Sequence, residues 1–234
     1  MTTAPPLPAR LLGMLRHPRA TAAALATAPR SADALVWAWL AAFAAMALVL
    51  HTETGELALL DHLERSVSAL VGPVDDTQYG VLQELSRRGV AYALVTALLT
   101  GPLLALGLSA AVFVWGRTRG QTPTYRQVLA VASHASVILA LRQVVAAPLV
   151  YARETLASPL TLNMFFTLLD EGSPLARFAG MIDLFVIWWI VAVAIGMSVL
   201  YRRRVTRFAS ALAGAYLLLA ALVALMVAMK GGAA

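Results

Sequence analysis

The chain of 234 residues has no cysteine, and only 13% of it is charged. The first absence excludes a disulfide framework, a thiolate nucleophile and any Cys-ligated metal or cluster. The second excludes an ordinary soluble domain, in which about a quarter of residues carry charge and about half are apolar. Lysine is nearly missing as well, since seventeen of the eighteen basic residues are arginine. What is present is 60% hydrophobic, with a mean hydropathy of +0.77. That is more apolar surface than a core of this size can bury, and lipid is the natural place for the excess. The net charge is +6. The arginines fall in short runs between apolar segments, so they read as determinants of topology and contacts to anionic headgroups, not as a nucleic-acid surface. The Ala- and Arg-rich bias fits a GC-rich bacterial genome.

Catalytic signatures are absent too. There is no H-E-x-x-H, no G-x-S-x-G and no P-loop. Asp183 and the borderline Asp33 are the only acids in or near an apolar run, so a paired intramembrane aspartyl site lacks a second member. The acids from Glu53 to Glu84 lack ligand-like spacing. No enzyme, metal or cofactor is expected. The first thirty residues are broken by proline and arginine and hold no continuous apolar core, so the first span is expected to act as an uncleaved signal-anchor.

A helix needs about 20 apolar residues to cross roughly 30 Å of hydrocarbon. Five runs qualify: 34–50, 90–115, 128–150, 178–200 and 208–229. The expected fold is an all-α membrane protein, a bundle of five transmembrane helices forming one domain over 1–234. An odd number of spans puts the termini on opposite sides. Eleven arginines (Arg10, Arg16, Arg19 and Arg30; Arg117, Arg119 and Arg126; Arg202, Arg203, Arg204 and Arg207) share one side, with only Asp33 at its boundary. The other side has Arg65, Arg87, Arg88, Arg153, Arg177 and Lys230, together with ten acids. The positive-inside rule then places the N-terminal segment 1–31 in the cytoplasm, the connection 52–89 outside and the C-terminus outside. The expected location is a cell membrane, the bacterial inner membrane. Trp37, Trp39, Trp115, Tyr125 and Tyr201 suit the inner interface, and Tyr92 and Tyr151 the outer one. Trp188 and Trp189 fall mid-span and read as interhelical packing.

Short interfacial helices are expected outside the spans. Leu11, Leu12 and Leu15 with Arg10 and Arg16 suit one that Pro18 stops. Leu60, Leu63, Val67, Leu70 and Val71 are spaced for another that Gly72-Pro73 ends, and Asp76–Arg88 suits a third. Gly101-Pro102 interrupts the second run and predicts a kink or helix break. Ala97-xxx-Gly101, Ala192-xxx-Gly196 and Ser210-xxx-Gly214 are small-xxx-small patterns that permit close helix approach.

Arg142 and Asp183 carry charge inside apolar runs, at a cost of roughly 2.5–3.5 kcal/mol each on insertion scales. Arg142 lies eight residues before Val150, roughly 12 Å below the outer end of the third run. Asp183 lies five residues after Phe178, roughly 8 Å below the outer end of the fourth. Consecutive antiparallel helices and a long arginine side chain make them an ion-pair candidate. Separate snorkelling to the interface is the alternative. His134, two turns deeper than Arg142, reads as a histidine hydrogen-bonded to a neighbouring helix rather than as a metal ligand or proton carrier.

The residues Met181-Ile-Asp183-Leu-Phe185-Val-Ile-Trp188 through Gly196 resemble the D-x-F-x-I-W … G stretch of the Yip1 domain family. Gly120-Gln-Thr122-Pro-Thr-Tyr-Arg-Gln127 is similar to that family's G-x-x-T-x-x-Q lead into the third span, and Ser158-Pro159-Leu-Thr-Leu-Asn163 is also similar. By this match Gly120, Thr122, Gln127, Asp183, Phe185, Trp188 and Gly196 are signature positions with structural roles. The resemblance runs from about Leu11 to Met229. It implies a helical bundle without known enzymatic activity. Eukaryotic relatives act in Golgi membrane traffic and bind small GTPases or other family members. The first thirty residues here leave little room for a GTPase-docking segment, so that partner is not expected.

The resulting reading is a non-enzymatic membrane scaffold that associates with lipids, with other membrane proteins or with itself, and not with nucleic acid. Arg202, Arg203, Arg204 and Arg207 are the candidates for anionic headgroups, with topology alone as their plainer role. The alternative is a small-solute or ion transporter or channel using His134, Arg142 and Asp183 beside the Gly101-Pro102 break.

Overall fold

The computed structural model describes residues 5–72, 74–121, 123–156, 160–162 and 174–231. Among these residues ten helices follow in order: α1 (Leu7–Arg16), α2 (Pro18–Thr27), α3 (Ala32–Leu50), α4 (Glu53–Val71), α5 (Asp76–Arg117), α6 (Tyr125–Ala135), α7 (Val137–Arg153), α8 (Pro174–Met181), α9 (Leu184–Tyr201) and α10 (Val205–Gly231). Five stretches are long and apolar enough to cross a membrane: Ala32–Leu50, Arg88–Arg117, Tyr125–Arg153, Leu184–Tyr201 and Val205–Met226. The protein is an all-α, multi-pass membrane protein.

Burial separates these stretches. In Tyr125–Arg153, which combines α6 and α7, 61% of the apolar stretch is buried, against 17% for those in α5 and α10. Leu99, Leu103 and Leu104 on α5, and Leu217, Leu218, Leu219 and Leu222 on α10, are exposed. Contiguous apolar surface of this kind is unfavourable in water and suited to acyl chains.

The chain divides into two compact units, and the divisions fall inside the long helices. The first unit comprises Met1–Ala42, Ala97–Arg142 and Phe185–Gly214. In it α1, α2 and α6 pack on one another. The first two meet at His17-Pro18. Proline has no N–H to continue α1 but fits the first turn of a helix, so Pro18 opens α2 rather than only ending α1. The sequence pattern contains no periodic signal for α2. Trp39, Ala38, Ala42, Leu139 and Ala140 form a core packed with Val186 and Trp189. At Gly101 a side chain would collide with the Trp39 ring, so glycine is what lets this tryptophan lie against α5. The helix runs on through Gly101 and Pro102 without interruption. At Gly196 a Cβ would collide with Val131, so α9 approaches α6 closely there. Gly214, in the third small-residue pattern, has open space around it.

The second unit comprises Phe43–Thr96, Gln143–Leu184 and Ala215–Ala234. Thr52 caps α4 by accepting the Gly55 N–H at 3.1 Å. Leu59 of α4 packs with Leu50, Val90 and Leu94, while Ala58 packs with Val49, Ala147 and Val150. The segment expected as a separate helix over Asp76–Arg88 is instead the first part of α5. This 42-residue helix is about 63 Å long, twice what the hydrocarbon requires. Asp75 and Gln78 cap its start reciprocally, the N–H of each bonding the other's side chain at 2.7 and 3.2 Å.

The run expected as one span over 178–200 is split. α8 ends at Met181 and α9 begins at Leu184. Backbone groups freed at the split find partners nearby. Leu162 N–H donates to Ile182 C=O at 2.8 Å, and Leu184 N–H to Leu160 C=O at 3.0 Å. Asp183 N–H donates to the Tyr216 hydroxyl at 3.0 Å, and that hydroxyl donates to Met181 C=O at 2.5 Å. Non-helical backbone at membrane depth is tolerated only when satisfied in this way.

Candidate functional site

Helix α1 is mostly apolar, yet Arg10 is buried in it beside Met14, with 5% of its surface exposed. Its Nη2 donates to Asp33 Oδ2, and the two form an ion pair. Asp33 stands in the first turn of α3, where a carboxylate also complements the helix dipole, and its Oδ1 accepts the Ala34 N–H at 2.9 Å. On α6, His134 is fully buried. Its Nδ1 lies 2.8 Å from Ala130 C=O. A carbonyl only accepts, so Nδ1 is the donor in this contact. Arg10, Asp33 and His134 lie within electrostatic reach of one another. Among the described residues, Arg10 Nε, Arg10 Nη1 and His134 Nε2 are buried without a hydrogen-bond partner. Ser133 and Ser136 flank His134 and bond back to the carbonyls of Leu129 and Ser133. Such back-bonding bends helices, and α6 gives way to α7 at Ser136.

The expected partner of His134 on a neighbouring helix is thus replaced by a carbonyl of its own helix. Arg10 and Asp33 were read from the sequence only as an interfacial arginine and a boundary acid. The available signal was the i, i+4 spacing of Arg10 and Met14, which puts the arginine on the buried face of α1.

A second constellation lies where α5 ends and α10 begins. Trp115 packs edge-on against Tyr201 and Phe208, at 6.1 and 5.7 Å between ring centroids. The Tyr201 hydroxyl donates to Val112 C=O at 3.1 Å. The guanidinium carbons of Arg119 and Arg207 lie 4.9 and 5.5 Å from the Trp115 ring centroid. Cation–π contacts of this kind fix arginines that otherwise wave in solvent. Below the ring is a groove of about 490 Å³, lined by Leu108, Ala111 and Val112 of α5 and by Ala211 and Leu212 of α10.

Arg142 is half-buried on α7 in the first unit. Asp183 is 4% exposed and sits in the α8–α9 split of the second unit, the position just before the first residue of α9. Arg202, Arg203 and Arg204 form the exposed turn into α10, with Arg207 in its first turn. Among the described residues no three His, Asp or Glu side chains gather as a metal site.

Residues 12–228 match the family model of the Yip1 domain. The chain belongs to the Yip1 family. No curated protein and no solved structure matches it. In this Yip1-family chain several of the positions expected as family signatures make local structural contacts. Gly120 adopts φ +68°, the left-handed conformation that ends α5. The Gln121 N–H bonds Gly116 C=O and the Gly120 N–H bonds Arg117 C=O, a Schellman closure. Gln127 forms a capping box with Thr124 and donates to Ala26 C=O at 2.7 Å, tying α6 to the end of α2. Phe185 stacks on Trp188 at 6.2 Å, and Gly196 admits Val131. Thr122, Ser158, Pro159 and Asn163 lie outside the described residues.

Proposed function

We propose that this Yip1-family protein is a non-enzymatic membrane scaffold that binds lipids and other membrane proteins. One observation carries the reading: side-chain contacts fasten α1 to α3 and α2 to α6. Arg10 to Asp33 and Gln127 to Ala26 C=O fasten a helix pair whose outer side, including Leu12 and Arg16, is left exposed. A rigid amphipathic surface of this sort suits docking. The N-terminus faces the cytoplasm in this reading and the C-terminus the outside, because the arginine count favours that side. Cross-linking in native membranes followed by isolation in mild detergent tests the scaffold. A recurrent membrane-protein partner or self-contact that is lost in Leu12→Glu/Arg16→Glu is the expected result. Solute flux through purified protein in liposomes, with no such contact, overturns it. Labelling of a C-terminal cysteine from the cytoplasmic side overturns the orientation.

The unpartnered Nε2 of His134 and the unpartnered donors of Arg10, within electrostatic reach of one another, favour a second reading, a small transporter or channel. It requires flux that His134→Ala abolishes. We also propose that Arg142 and Asp183 pair. In a double-mutant cycle, Asp183→Asn alone should then be more harmful than Arg142→Gln/Asp183→Asn, and additive damage counts against the pair.

A further inference from the structure

We propose that the groove beneath Trp115 is a specific site for one anionic glycerophospholipid, with an acyl chain along the groove and the phosphate between Arg119 and Arg207. The inference deepens the scaffold reading and rests on its membrane placement.

The shape of the groove comes from small residues. Ala111 on α5 and Ala211 on α10 leave a trough of about 490 Å³ between the helices, with Leu108, Val112 and Leu212 as its walls. Both helices belong to membrane-length stretches, so the trough lies where hydrocarbon is available. A lipid tail fits such a surface because it is apolar and flexible, whereas a polar solute would lose its hydration there. The upper end has opposite chemistry. Trp115 closes the trough with its ring, and Arg119 and Arg207 stand within 5.5 Å of that ring. Arg207 also lines an adjoining pocket of about 380 Å³ with Arg203, Arg204, Thr206 and Ser210. Arg203 is held in place by Gln121, whose amide oxygen accepts from its Nε and Nη2 at 3.1 Å in the orientation that satisfies both groups.

Charge decides the occupant. The first unit contains twelve arginines and a single acid, Asp33, which is engaged with Arg10. Among the described residues neither Arg119 nor Arg207 is salt-bridged to a carboxylate. Like charges gathered around one ring repel, and a phosphodiester at that point offsets the repulsion. Arginine forks match phosphate oxygens bidentately, and Thr206 adds a hydroxyl beside them. A zwitterionic headgroup would bring its own cation into this field, so a net-anionic lipid is selected over a zwitterionic one.

The test uses the full chain in phosphatidylcholine nanodiscs titrated with brominated phosphatidylglycerol, whose bromines quench nearby tryptophan. The expected result is a saturable component of quenching at low phosphatidylglycerol fraction. It disappears in Trp115→Phe, and its midpoint moves about tenfold upward in Arg119→Gln/Arg207→Gln. Both arginines are exposed, so the folded structure does not depend on them. The control Arg19→Gln/Arg30→Gln removes the same charge from exposed positions on α2 and in the α2–α3 connection and should leave the midpoint in place. Three results overturn the site: quenching that rises linearly with lipid fraction, equal curves for brominated phosphatidylcholine, or equal shifts in the two double variants. Any of them leaves the scaffold reading intact, whereas flux in liposomes removes the scaffold reading and leaves the lipid site standing.

Discussion

The two units divide the charge of the chain very unequally. The first has twelve arginines and one acid, and the second has six basic residues and eleven acids. In the first, one carboxylate serves a buried guanidinium, and other arginines rest on aromatic rings. In the second, charges pair on exposed helix faces, as in Arg65–Asp61 and Arg88–Glu84, and helix starts are capped by Thr52 and Asp75. The same residue types thus hold structure together by burial in one unit and by local capping in the other. The energetic consequences differ accordingly, because a charge left alone in a dry site costs far more than one left alone at the surface.

Asp33→Ala tests the contrast most severely. It leaves Arg10 buried without its counter-ion and should destabilise the protein by about 2–3 kcal/mol, below the fully buried range because Asp33 is one-third exposed. Thermal unfolding in detergent should show the loss, and Arg10→Met/Asp33→Ala should recover most of it. Equal losses for the single and double variants would remove the burial argument. Next is Gly196→Val, which puts a branched side chain into Val131. Overpacking there should cost about 1–3 kcal/mol, read by the same melt.

Tyr216→Phe sharpens the description of the second unit. It removes the hydroxyl shared by Asp183 N–H and Met181 C=O, at an expected cost of about 1–2 kcal/mol. Amide exchange confined to the α8–α9 split would locate the effect, and unchanged exchange there would refute it. The smallest effect belongs to Arg65→Gln. Its exposed i, i+4 pair should be worth under about 0.5 kcal/mol, and a larger shift in melting would break the proposed difference between the units.

Much of the helix pattern was legible because lipid imposes a length and a composition that can be counted residue by residue. The arginine-rich connections were equally plain. The α8–α9 split was not legible. Phe178 to Leu200 is apolar except for Asp183 and Ser198, and its split depends on Leu160, Leu162 and Tyr216, far away in the chain. Pro102 reads locally as a helix breaker, but α5 continues through it. The meaning of Gly101 depended on Trp39, sixty-two residues earlier.

The amino-acid order alone determined the solvent: its long apolar runs need hydrocarbon, and cations between them mark the faces. Only the tertiary structure decided which charges are enclosed. Helical spacing puts Arg10 on the face of Met14, but only the fold encloses that face, so Arg10 is buried against Asp33 while Arg16 is exposed. Burial is a property of what packs alongside, and here the neighbours come from α3 and α6, whose approach no local pattern encodes.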